Sequence, residues 1–195
     1  MSPSASHEPS RAELLAAAAG LLRGRRLLLP LVPGVTLGAS AAELLSAWVL
    51  TGGCPDAKTL DVLTRCASGS VAHALAARLR GEAIPAPPLP DPALDWEDLG
   101  TWAAEACGLA IPGLADELAA TLAGRLVDLH RALVLALLAA ETRHAARILR
   151  WLALFPDSPE LAASARPAAA ELARHRAGDP EIDYHLAVIG AVRRR

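Results

Sequence analysis

Alanine and leucine leave this chain little choice but helix: 44 alanines and 35 leucines stand among its 195 residues. Both are strong helix formers, whereas the β-branched and aromatic residues that favour strands are scarce. The expectation is an all-α fold, a bundle of about eight or nine helices. The same skew removes Asn and Gln altogether and leaves one Lys beside 18 Arg. It is a bacterial-like composition of GC-rich codons and carries no chemistry of its own. A hydrophobic content of 53% rules out wholesale disorder, and the length is enough for a core that needs no staples.

Caps and breakers divide the helical material. Ser10-Arg11-Ala12-Glu13 and Ser40-Ala41-Ala42-Glu43 both have the spacing of a capping box and predict helices over about 11–24 and 41–51. Gly24 or the Pro30/Pro33-Gly34 group ends the first, and Gly52-Gly53 ends the second. Cys54-Pro55-Asp56 opens a third helix, and Ser68-Gly69-Ser70 separates it from a fourth that runs to about Arg80. Five prolines within 82–94 predict an extended, exposed connection. Asp95 then caps a helix reaching about Cys107. Pro112 starts a helical stretch that meets no proline before Pro156, with Gly124 its one expected break. Ser158-Pro159-Glu160 and Asp179-Pro180-Glu181 open the last two helices, with Pro167 a kink. The implied organisation is a disordered N-terminus (1–10), an N-terminal helical part (11–81), the Pro-rich linker (82–94) and a C-terminal bundle (95–195). The two helical parts are either separate or one domain.

Charge is unevenly spread. Residues 1–81 carry +3, residues 82–124 carry −8 with no basic side chain, and residues 125–195 carry +3. The acidic middle is expected to meet the arginine-rich flanks, within the fold or in a partner. A pI near 6.3 offers no basic domain for nucleic acid. Three cysteines at no metal-ligand spacing fit a reducing compartment. The first residues lack the apolar run of a signal peptide, and no window offers 18 uninterrupted apolar residues. The expected location is therefore cytoplasmic, with no membrane span.

Within the long stretch, Ala132–Ala140 is apolar on every side of a helical wheel and reads as the buried central element, with Leu133, Leu137 and Leu138 in the core. Arg143, Arg147 and Arg150 share one side of the wheel and read as a solvent-facing basic stripe. Glu141 falls roughly opposite, with His144 its i+3 neighbour. Glu-x-x-His is the spacing of di-iron bundles, but those need a second such pair and further carboxylates, which this chain lacks. Glu141 and His144 are therefore expected as a polar pair or a ligand-binding pair. Glu171/His175 and Glu181/His185 are spaced by four and read as ordinary helical ion pairs. Cys54, at a helix start, reads as a cap or packing residue. No phosphate-loop, dinucleotide, hydrolase or zinc-protease motif occurs, so neither a catalytic residue nor a cofactor or metal is assigned.

These readings favour a non-catalytic helical adaptor or self-associating scaffold whose partner is another protein or a second copy. The first alternative is an enzyme or small-ligand binder with a pocket between bundle helices near Glu141 and His144. The second is a DNA-associated regulator using the arginine stripe.

Overall fold

The computed structural model describes residues 9–25, 40–66 and 69–194. The expected N-terminal tail up to residue 8, the Pro30/Pro33-Gly34 stop and the Ser40 and Cys66 side chains lie outside the described residues. The elements are α1 (Arg11–Leu22), α2 (Ser40–Thr51), α3 (Ala57–Cys66), α4 (Ser70–Arg80) and α5 (Trp96–Glu105), followed by a 3-10 turn, Ala106–Leu109. Then come α6 (Asp116–Ala123), α7 (Leu126–Leu138), α8 (Thr142–Leu152), α9 (Pro159–His175) and α10 (Pro180–Val192). The fold is all-α. Among the described residues there are ten helices, rather than eight or nine, and no strand. None of the described helices is long and apolar enough to cross a membrane.

Side-chain capping accounts for four of the starts among the described residues. Ser10 and Glu13 form a reciprocal capping box on α1. Asp56 accepts from the Thr59 amide ahead of α3, Asp95 from Glu97 and Asp98 at α5, and Asp179 from Glu181 at α10. The stretch from 82 to 91 has no helix and is mostly exposed. α1 packs between α2 and α10, while α8 touches α5, α7, α9 and α10. One apolar cluster contains buried residues from Leu14 to Val192, on both sides of the prolines. α5 and α7 cross at backbone contact, because Gly100 has no side chain: a Cβ there would lie 2.5 Å from Ala132 Cβ.

The long stretch after Pro112 is three helices: α6 ends at Gly124 as expected, and a second break follows α7. The break between α7 and α8 carries no Gly or Pro. Ala140 adopts φ +60°, the Glu141 amide donates to the Ala136 carbonyl at 2.8 Å, and the Ala140 amide donates to that of Leu137 at 3.1 Å. That pair of bonds is a Schellman ending, with alanine at the left-handed position that glycine normally fills. The central helix is also not buried on every side. Leu129, Ala132, Leu133 and Ala136 face the core, Leu137 is half-buried, and Leu138 is 80% exposed on the open side together with Val127, Val134 and Leu135. Packed neighbours cover one side of α7 only, and an apolar wheel does not require a second layer.

Two measurements follow. Ala140→Gly relieves about 1–2 kcal/mol of left-handed strain against a smaller loss through the unfolded chain, so thermal melting should rise, equivalent to up to about 1 kcal/mol. Leu133→Ala should cost roughly 2–5 kcal/mol in denaturant unfolding, while Leu138→Ala should stay within about half a kilocalorie. Equal costs for the two leucines would invert the two faces assigned to α7.

Candidate functional site

α10 is apolar almost all round, yet Glu181, Tyr184 and His185 are buried on it. A buried carboxylate is costly unless paired. Glu181 is paired three times. Arg147 of α8 donates to Oε1, Arg11 of α1 lies 3.1 Å from Oε2, and Arg143 approaches Oε2 at 3.9 Å while bonding Asp179 at 2.6 Å. His185 Nε2 lies 3.7 Å from Glu181 Oε1. The His185 ring beside it and the charges of Arg147 and Arg11 outweigh burial and hold the Glu181 carboxyl down at about 2. It is ionised at any ordinary pH.

Next along α8 is Arg150. Its side chain is 2% exposed, in a core of alanine and leucine. Nη1 approaches His185 Nδ1 at 3.5 Å, and the guanidinium lies over the Tyr184 ring, 5.8 Å from its centroid. With Arg150 donating to Nδ1, the neutral imidazole carries its proton on Nε2, toward Glu181. Burial, offset in part by Glu181, holds His185 down at about 4. The guanidinium therefore gets no carboxylate from α10. Its Nε and Nη2 are buried with no hydrogen-bond partner among the described residues.

These groups line a cleft of about 280 Å³. α8 contributes Arg147 and Arg150, α10 Tyr184 and His185, α2 Glu43 and Ser46, and α1 Arg11, with Cys107 at the 3-10 turn. Glu43 Oε2 is likewise buried and unpartnered. Burial pushes the Glu43 carboxyl up, against the pull of Arg11 and Arg150. Burial also pushes up the Cys107 thiol, and Tyr184 to about 12, so both stay protonated. The Tyr184 hydroxyl donates to the Glu43 backbone carbonyl at 3.3 Å, joining α10 to α2.

The residues singled out from sequence sit differently. Glu141 is not on the apolar side. It is exposed at the start of α8, because the Ala140 turn rotates it out of the α7 register. With half-buried His144 it borders a separate depression that includes Trp96 and Thr101. The arginine stripe does not face solvent as a whole: Arg143 is exposed, Arg147 half-buried and Arg150 buried, because the stripe faces the acids of α10. The Glu181/His185 pair is a core element rather than a surface ion pair. A helix as apolar as α10 that carries Glu, Tyr and His is the signal that points to it. Among the described residues, no group of three or more His, Cys, Asp or Glu is placed to hold a metal. Cys54 is free and exposed, against the Leu79 carbonyl.

Acidification should destabilise the fold through this cluster. Between 6.5 and about 4 the unfolded chain takes up a proton at His185 that the folded chain refuses, so stability falls as pH falls. The Glu181 contribution is present above 4.5 and is lost toward about 2, in the same direction. Glu43, raised, acts in the opposite sense: the folded chain takes up its proton above 4.5, before the unfolded chain does, so it offsets part of the His185 slope. The expected slope is up to about 1.4 kcal/mol per pH unit for His185, and His185→Gln should flatten it. An equally steep slope in that variant would take the origin away from His185.

Comparison with models of protein families, with curated proteins and with solved structures found no match to this chain.

Proposed function

We propose that the protein binds a small molecule bearing an oxyanion, a carboxylate or a phosphate, in the cleft between α2, α8 and α10. The observation that carries this reading is the buried Arg150 guanidinium with two unsatisfied nitrogens. Each buried donor left without an acceptor costs about 1–3 kcal/mol. Arg11, Arg147 and Arg150 line the cleft beside Glu43 and Glu105, and Glu181 pairs Arg11 and Arg147, so Arg150 is the cleft cation with no carboxylate partner among the described residues. A planar guanidinium with two adjacent free N–H groups fits an oxyanion in bidentate geometry. This is the small-ligand reading, moved along α8 from Glu141 and His144 to Arg150.

A second reading, a self-associating scaffold, is favoured by the exposed ridge of α7. Val127, Arg131, Val134 and Leu138 recur at spacings of four, three and four along it, and all four are exposed. Antiparallel packing of two such ridges sets Val134 against the partner's Leu138. Light scattering should then give a dimer that Leu138→Glu dissociates. A monomer at every concentration would remove this reading.

For the cleft, thermal melting is measured in phosphate and acetate against chloride at matched ionic strength. Binding to the folded state raises stability by RT ln(1 + [L]/Kd), so melting should climb with phosphate or acetate. Arg150→Met should abolish the climb while leaving the ligand-free protein unchanged or up to about 4 kcal/mol more stable, since apolar groups often replace buried charges well. Strong destabilisation by Arg150→Met, with no anion effect on the wild type, would make Arg150 purely structural.

A further inference from the structure

The oxyanion reading uses only one of the two unsatisfied groups in the cleft. The other has the opposite polarity: Glu43 Oε2, on α2, is a buried acceptor with no donor, while Arg150 Nε and Nη2, on α8, are buried donors with no acceptor. Both residues line the same cavity, and each feels the other's charge. Yet they form no ion pair among the described residues. Opposite charges left apart in a low-dielectric site keep both desolvation costs without the contact that offsets them. Neither neighbour closes the gap: His185 gives Arg150 one nitrogen, and the Tyr184 hydroxyl bonds the Glu43 backbone rather than its carboxylate.

We infer that the ligand is a small zwitterion of the α-amino acid class, its carboxylate on Arg150 and its ammonium on Glu43. This inference rests on the proposed anion reading and adds the second charge. A ligand of that kind satisfies both unpartnered groups at once, whereas a plain carboxylate or phosphate satisfies Arg150 and brings negative charge toward Glu43. The cleft volume, about 280 Å³, corresponds to roughly nine or ten waters, which suits an amino acid and is small for a nucleotide. The remaining lining includes Ala42, Val71, Ala104 and Gly108, small or apolar surface for a side chain. Burial works against an ionised Glu43 in the empty cleft, and an ammonium at Oε2 reverses that effect.

The test is a binding panel on the intact protein near neutral pH, read by thermal melting and then by calorimetry. The probes are the proteinogenic α-amino acids, the matching carboxylic acids without the amino group, the amino acid methyl esters, and inorganic phosphate. At least one amino acid should bind, with its des-amino analogue weaker by about tenfold or more and its methyl ester without measurable affinity. Glu43→Gln, which keeps the shape, should bring the amino acid down to the level of its des-amino analogue. Arg150→Met should lose both. Equal binding of the amino acid and its des-amino analogue would overturn the zwitterion and leave the oxyanion reading standing. Binding of phosphate alone would do the same. No response to any probe overturns both.

Discussion

A carboxylate buried among alanines and leucines has to be neutralised where it stands, and Glu181 is such a carboxylate. Arg11 reaches it from α1, and Arg143 and Arg147 reach it from α8. Three helices far apart in sequence are thereby tied to one another at one point. Arg23 adds a bidentate pair to Asp183, and Arg194 donates to the Leu22 carbonyl, so α1 and α10 are held along their lengths. The net stabilisation from a buried ion pair is modest, but breaking one costs about 3–5 kcal/mol. Helices surfaced with alanine and leucine can bury similar area in several registers. The pairs on Glu181 discriminate among those registers.

The cleft follows from the same composition. Small residues let helices approach closely, as at Gly100 and Ala132. Where three or more elements converge, small residues instead leave space. Ala42, Ala104 and Gly108 stand at the junction of α2, α5 and the 3-10 turn, and long arginines reach into the space they leave. A leucine-filled junction would have excluded those side chains. Packing and charge are therefore not separable at this place: the residues too short to fill the junction make room for the charged groups that line it.

Helix starts were legible because capping is local. The side chains of Ser10, Asp95 and Asp179 carry their signal within three residues, and each makes the expected bond, whereas α3 starts after Asp56 rather than at Cys54 and Ser158 opens α9 without a capping bond. The α7–α8 break was not legible, because alanine occupies the position whose backbone demands glycine. That one turn displaces everything inferred beyond it on a continuous wheel, including the inward placement of Glu141. The charge blocks misled for a different reason. Of the carboxylates of 82–124, Asp95 caps α5, while Asp91 and Asp116 accept backbone N–H groups in the turns around them. The ion pairs between helices lie instead within the two flanks, on α1, α8 and α10.

The arginine stripe shows how a correct grouping can receive the wrong environment. A wheel states which residues share a side; it does not state what that side meets. Arg143, Arg147 and Arg150 do share a side, and α10 answers them in order with Asp179, Glu181 and His185. The first two rungs are cation against carboxylate. The third is cation against a neutral imidazole, held neutral by burial and by the arginine beside it. Exposure falls along the same series, so the rung without a carboxylate is also the driest one. A carboxylate at position 185 would complete the ladder and leave Arg150 nothing to offer. With histidine there, the deepest guanidinium keeps two unpartnered donors beside a cleft that is also lined by the buried orphan Glu43 of α2. What the core leaves unpaired at that rung is what the proposed ligand would supply.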